Sequence, residues 1–275
     1  MNSIIYNQLN NGKHVKASDL PVWLLAHGIS SVTTDDISAL LRIPKSQVPQ
    51  RMMKLKKRYE IVSPVQGLWI PVPPEYRTWG APPAIDMIAA IMKHMESKYY
   101  IGWLSAAEYY GASHHAPQVF QVAASKPIRK KSVGRVHFQF FHRTNLSNIS
   151  CIKVESKSGF VLVSSVETTL LDISNDLKIV GGIDNAANLI IGICETTTPN
   201  IKELSSLSMC FPVAAARRLG FILEHFTDIT ELEELREACL TRKSSISLLD
   251  SQASFCGKFY TPWNIKINRE VSPDI

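Results

Sequence analysis

The chain has 275 residues, 45% of them hydrophobic and 20% charged, with a formal net charge of +6. That length favours two domains, each able to bury its own core, and no apolar run approaches the roughly 20 residues of a bilayer-spanning helix, so no membrane segment is expected. The opening MNSIIYNQLNNGKHVK lacks an apolar core of signal-peptide length followed by a small-residue cleavage site, so the expected location is cytoplasmic. Cys151, Cys194, Cys210, Cys239 and Cys256 form no CxxC pair and have no His at ligand spacing, so neither a disulfide framework nor a zinc site is expected.

Residues 19–29, DLPVWLLAHGI, predict an amphipathic helix ended by Gly28, which takes the left-handed conformation readily. In VTTDDISALLRIP, Thr33 or Thr34 caps a second helix whose first turn carries Asp35 and Asp36, where carboxylates suit the helix dipole. That helix buries Ile37, Leu40 and Leu41. Pro44 ends it. Ser46 is then placed to cap a third helix with Pro49 in its first turn, where a missing N–H costs little.

The third segment, PKSQVPQRMMKLKKR, is rich in Lys and Arg and holds no acid. Val48, Met52, Leu55 and Tyr59 fall at helical spacing and form one apolar stripe. Opposite them stand Gln47, Gln50, Arg51, Lys54 and Arg58, residue types that bond base edges and phosphates. Lys45 and Lys57 add charge at the two ends. A solvated basic face is the competing reading, and the next residues weigh against it. EIVSPVQGLWIPVP predicts two short strands, about 60–65 and 68–72, joined at Gln66-Gly67. Helix, helix, basic helix and hairpin is the order of a winged helix-turn-helix, with Gln66 at the wing.

The winged helix is expected over residues 1–76, followed by a Pro-rich linker at 77–83 and a larger domain at 84–275. Helical patterns at 84–95 and 104–111 lead into strand-like runs at 119–125, 136–143, 150–156 and 160–165, and helical patterns then return. The expected class is α+β or α/β, with a sheet as the spine of a mixed C-terminal domain. A second basic cluster, Lys126, Arg129, Lys130, Lys131 and Arg135, fills a predicted loop, with Arg143 at the end of the next strand. Cations without regular aromatic interleaving suit phosphate or a partner's carboxylates, or are simply solvated.

The winged-helix start, GWLSAAEYYGASHHAP (102–117), GFVLVSSVETTLLDIS (159–174), GGIDNAANLI (181–190) and ARRLGFILEHF (216–226) together resemble the AbiEi family of antitoxins. The resemblance runs from about residue 17 to WNIKIN near the end. It implies a type IV toxin–antitoxin system acting in phage defence by abortive infection, with an AbiEii-type nucleotidyltransferase toxin as functional partner. In such a system the two proteins need not form a stable complex. It also implies that the winged helix binds repeats in the operon's own promoter and represses it, while the second domain neutralises the toxin.

Catalysis has little to stand on in the sequence. Glu167 and Asp172 follow a strand as a nuclease-like pair would, yet Ser164-Ser165-Val166-Glu167 has the form of a capping box, and five residues of helix turn Asp172 away from Glu167. His137 and His142 point to opposite faces of a regular strand, and His114 and His115 fall in a predicted loop. No cofactor and no catalytic residue are expected. The alternatives are a winged-helix regulator whose second domain senses a small molecule and, third, a metal-dependent nuclease.

Overall fold

A computed structural model describes residues 5, 15–112, 118–242 and 244–273; His114 and His115 lie outside the described residues. The chain divides into two compact units, one made of Met1–Lys98, Ile128–Phe140 and Val154–Val161, the other of Tyr99–Pro127, Phe141–Lys153 and Leu162–Ile275.

In the first unit, α1 (Leu20–Ala26) is followed by Gly28 at φ 65°, the left-handed residue that the sequence required there. A short strand β1 (Val32–Thr33) leads into α2 (Thr34–Leu41). Thr33 caps α2: its hydroxyl accepts the Asp36 N–H at 3.1 Å, while the Asp36 carboxylate accepts the Thr33 N–H at 2.9 Å. This reciprocal pair satisfies two donors that a helix start leaves open, and such a cap is worth about 1 kcal/mol.

Ser46 does not cap the third helix. The chain first makes a 3-10 turn, Lys45–Gln47, and α3 (Val48–Lys57) starts after it with no side-chain cap. Val48, Met52 and Leu55 are buried as their spacing predicted, but Tyr59 is 50% exposed. The helix has ended by then. The Tyr59 N–H donates to the Lys56 carbonyl and the Glu60 N–H to the Leu55 carbonyl, a Schellman closure that puts Tyr59 in the left-handed region at φ 53°.

Strands β2 (Ile61–Val62) and β3 (Leu68–Pro71) complete the hairpin, and the sheet order β1-β3-β2 is antiparallel throughout, with Val32 opposite Trp69 and Val62 opposite Ile70. The core gathers Leu20, Leu24, Ile37, Leu40, Val48, Met52 and Ile61, all essentially without exposure. Helix α4 (Ala84–His94), expected to open the second domain, groups with this first unit. So do the Pro-rich residues 77–83.

A six-stranded sheet is built from β4 (Tyr99–Ile101), β5 (Phe120–Ala124), β6 (Lys131–Val133), β7 (Val136–His142), β8 (Cys151–Ser156) and β9 (Gly159–Ser164). Its order is β6-β7-β5-β4-β9-β8, with β4 antiparallel to β5 and parallel to β9. Helix α5 (Trp103–Tyr109) follows β4. After β9 come α6 (Val166–Asn175), α7 (Leu177–Val180), α8 (Ile183–Thr196), α9 (Ile201–Ser208), α10 (Val213–Phe226) and α11 (Glu233–Leu240). Strand β6 and most of β7 group with the first unit; a small sheet of β10 (Ser247–Leu248), β11 (Lys258–Tyr260) and β12 (Ile265–Ile267), order β10-β12-β11, closes the second. The class is mixed α/β.

Helix α6 is the hub of this unit and is buried along most of its length, packing against α8, α9 and α10. Its cap is Ser165, whose hydroxyl accepts the Thr168 N–H at 3.2 Å, and the capping box expected of Ser164 and Glu167 does not form. Glu167 instead reaches α9, accepting the Asn200 N–H at 2.9 Å.

Candidate nucleic-acid interface

With Val48, Met52 and Leu55 turned into the core, the helical repeat fixes which residues of α3 face outward most directly. They are Gln50, Met53, Lys54 and Lys57, all exposed. Gln47, Arg51 and Arg58 lie on one flank of this line, also exposed. On the other flank the Lys56 ammonium stands 6.0 Å over the Trp69 ring. The outward line therefore differs from the stripe read off the sequence by including Lys57 and, unexpectedly, an apolar residue, Met53.

Lys45 lies in the 3-10 turn before α3 and is paired with Asp35 of α2 at 2.9 Å. Both side chains are 65% exposed, so the bridge is worth little and yields easily to a phosphate. Gln66 is exposed in the 63–67 connection of the hairpin. Its backbone is fixed on both sides: His94 Nε2 stands 2.9 Å from the Gln66 carbonyl, and the Thr34 N–H donates to the Gly67 carbonyl at 2.9 Å.

The second basic cluster is not one loop. Lys126 is exposed in the second unit, whereas Arg129, Lys130, Lys131 and Arg135 belong to the first. Lys131 is half-buried and opens β6, opposite Phe138 of β7, and exposed Arg135 sits in the tight turn between these strands. That turn is anchored beside the end of α3. The Arg135 N–H donates to the Trp79 carbonyl at 2.9 Å, and a side chain at Gly134 would overlap Trp79 and Gly80. A methyl group at Gly80 would in turn stand 3.1 Å from both the Tyr59 ring and Gly134. Tyr59, Gly80 and Gly134 thus pack as one seam, with Arg58 on one side and Arg135 on the other. Backbone neighbours this close tolerate only glycine, and no sequence periodicity reports it.

Arg143 is turned away from any such surface. It pairs with Asp172 at 2.7 Å and stands 3.5 Å from Asp176, with its guanidinium 4.9 Å from the Phe211 ring and 5.5 Å from that of Trp103. The Tyr100 hydroxyl donates to Asp172 at 3.0 Å. Burial pushes the Asp172 carboxyl up to about 7, against the pull of Arg143 and of the Tyr100 hydrogen bond. Asp172 and Glu167 thus serve the packing of α6.

Elsewhere in the second unit, a cleft of about 1160 Å³ is lined by apolar Ile191, Ile201, Phe226 and Ile229 and by the acids Glu195 and Glu231. Among the described residues no group of three His, Cys, Asp or Glu side chains could hold a metal ion, and no helix is long and apolar enough to cross a membrane.

These observations define a mixed α/β protein of two units, one a small helical unit with a basic helix held outward, the other a helix-rich unit around α6. Residues 100–225 match the AbiEi antitoxin C-terminal domain, so this part of the chain carries an AbiEi-type antitoxin domain. Among solved structures, the RV2827C protein from Mycobacterium tuberculosis shares the fold, with a TM-score of 0.63 at 13% identity over 90% of each chain. An antigenic nucleotidyltransferase-like protein from Paracoccidioides brasiliensis gives a TM-score of 0.34 at 10% identity, over 57% of this chain and 91% of that one. No curated protein matches.

Proposed function

We propose that this chain is an antitoxin and also a transcriptional autorepressor: residues 1–76 form a winged helix that binds its own promoter as double-stranded DNA, and the larger C-terminal region counters a nucleotidyltransferase-type toxin of the AbiEii kind. The observation that carries the DNA reading is the continuity of the basic surface. Gln50, Lys54 and Lys57 of α3 lead past Arg58 and the Tyr59–Gly80–Gly134 seam to Arg135, all within one unit. A single α-helix fits the major groove, and cations beside it meet the flanking phosphates. In this reading Gln47, Gln50 and Arg51 address bases, while Lys45, Lys54, Lys57, Arg58, Gln66, Arg129, Lys130 and Arg135 address the backbone. Lys131 supports the turn and adds charge.

Gel shifts on the operon's promoter and on unrelated DNA, over a range of salt, test the first half; growth rescue on co-expression with the adjacent toxin tests the second. Equal affinity for both DNAs removes sequence-specific repression. Failure of the folded chain to rescue growth removes the toxin assignment. The cleft beside α9 favours a second reading, a regulator that senses a small molecule. Under that reading a ligand shifts promoter affinity and the chain gives no rescue.

A further inference from the structure

Met53 is the exception on the outward line of α3. Its neighbours there are an amide and two ammonium groups, yet it carries an unbranched apolar side chain that is 51% exposed and takes no part in the core around Val48, Met52 and Leu55. It stands at the edge of a shallow hollow of about 390 Å³ lined by Pro49, Lys56, Lys57 and Trp69. A polar side chain would be at least as comfortable there in water. The position therefore gains from an apolar residue only when something covers it.

We propose that Met53 reads the 5-methyl group of a thymine in the major groove. The inference rests on the reading of α3 as the helix that enters DNA. On the major-groove edge, guanine, cytosine and adenine present only hydrogen-bonding groups, and thymine alone adds an apolar carbon. Met53 follows Gln50 by three residues, about 4.5 Å along the helix axis, comparable to the roughly 3.4 Å between stacked base pairs. The thymine thus lies one or two base pairs from the base that Gln50 meets, for which adenine is the natural partner of an amide. Lys54 and Lys57, on the same outward line, hold the helix to phosphates on either side. The flexible thioether of methionine suits a contact that is formed only on docking.

The test replaces each thymine of the promoter site singly by deoxyuridine, which removes the methyl group and leaves the hydrogen-bonding edge intact. Affinities of the full chain are measured by gel shift for wild type, Met53→Ala and Met53→Leu. Wild type should lose about fourfold at one or two positions, the worth of a buried methyl group. Met53→Ala should bind the unmodified site about fourfold more weakly and be indifferent to deoxyuridine at those positions, whereas Met53→Leu should retain the sensitivity. Met53 is exposed, so all three proteins should melt alike. Wild type indifferent to every substitution, or Met53→Ala as sensitive as wild type, overturns the proposal. A wild type that binds promoter no better than unrelated DNA overturns the DNA reading as well, and the two failures are told apart by that control.

Discussion

Arg143 meets Asp172 at 2.7 Å inside the second unit, where Asp172 has no exposure and Arg143 very little. In the sequence Arg143 belongs with the surface cations that precede it; in the fold it neutralises the carboxylate on the inner side of α6 that Tyr100 also binds. Replacing Arg143 by Met would leave that carboxyl buried with only the Tyr100 hydroxyl as partner, and above about pH 7, where it is charged, losing the cation typically costs about 3 kcal/mol or more. Chemical denaturation of the full chain should show this loss with little change in the denaturant slope. An unchanged midpoint would mean that water reaches the pair.

The same carboxyl makes stability depend on pH. Its value rises from 3.8 to about 7 on folding, so between those values the folded state keeps a proton that the unfolded chain has released. The contribution is full below about pH 4 and is lost as pH rises through 7. The amide introduced by Asp172→Asn cannot ionise, so the melting temperature of that variant minus that of wild type should climb from about pH 4 to about pH 7 and then level off. A difference that falls over this range would place the folded carboxyl below its ordinary value instead.

Much of the first unit was legible because short-range rules governed it: the capping Thr33, the left-handed Gly28 and the four-three spacing of Val48, Met52 and Leu55 need only neighbours in sequence. Tyr59 escaped because the Schellman closure of α3 places a tyrosine, rather than the usual glycine, at the left-handed position, where its ring packs on Gly80. Strand β4, Tyr-Tyr-Ile, is too short to alternate and lies inside the sheet, so its pattern carries no signal. The capping of α6 moved one residue because the Ser164 hydroxyl is engaged by Thr169 and the Ile101 carbonyl, leaving Ser165 to the helix. Buried Arg217 donates through one terminal nitrogen to Ser247 and the Ser245 carbonyl while its Nε stays unpartnered, and Arg218 donates to carbonyls of residues 248, 249 and 174; most of these partners lie in a segment with no periodicity at all.

Gly220 lies in the middle of α10 directly against the buried Trp263 ring, and a methyl group there would overlap it. Trp263 is fixed from the other side, its indole N–H donating to Glu224 at 2.7 Å and Arg236 lying 5.0 Å over its ring. Gly220→Ala gains helix propensity of about 1 kcal/mol and meets an overpacking cost of about 1–3 kcal/mol. A net loss of stability is expected. A Trp263→Phe background, with its smaller ring, should recover part of it.

On DNA, Gln50→Ala should lower promoter affinity and leave unrelated DNA almost unaffected, since an amide serves base edges. Lys57→Ala should weaken both, and the slope of log affinity against log salt should flatten by about one unit for the lost phosphate contact. Lys130→Glu together with Arg135→Glu should steepen neither and weaken both DNAs more strongly, with an unchanged melting temperature because both residues are exposed. Unchanged binding by that double variant would leave the β6–β7 turn as solvated surface or as a contact for the toxin.

The two proposed functions should separate on one chain. Every buried residue of the small helical core, from Ile5 to Trp69, lies within residues 1–76, so a fragment of that span should fold cooperatively by itself. It should bind the promoter more weakly than the full chain, and with a shallower salt dependence, because the turn carrying Arg135 is missing. Growth rescue should be absent. Conversely, the full chain carrying Gln50→Ala and Lys57→Ala should lose repression and keep rescue, since neither side chain belongs to the matched antitoxin domain at residues 100–225. Rescue by the fragment, or loss of rescue in the folded double variant, would show that toxin neutralisation runs through α3 after all.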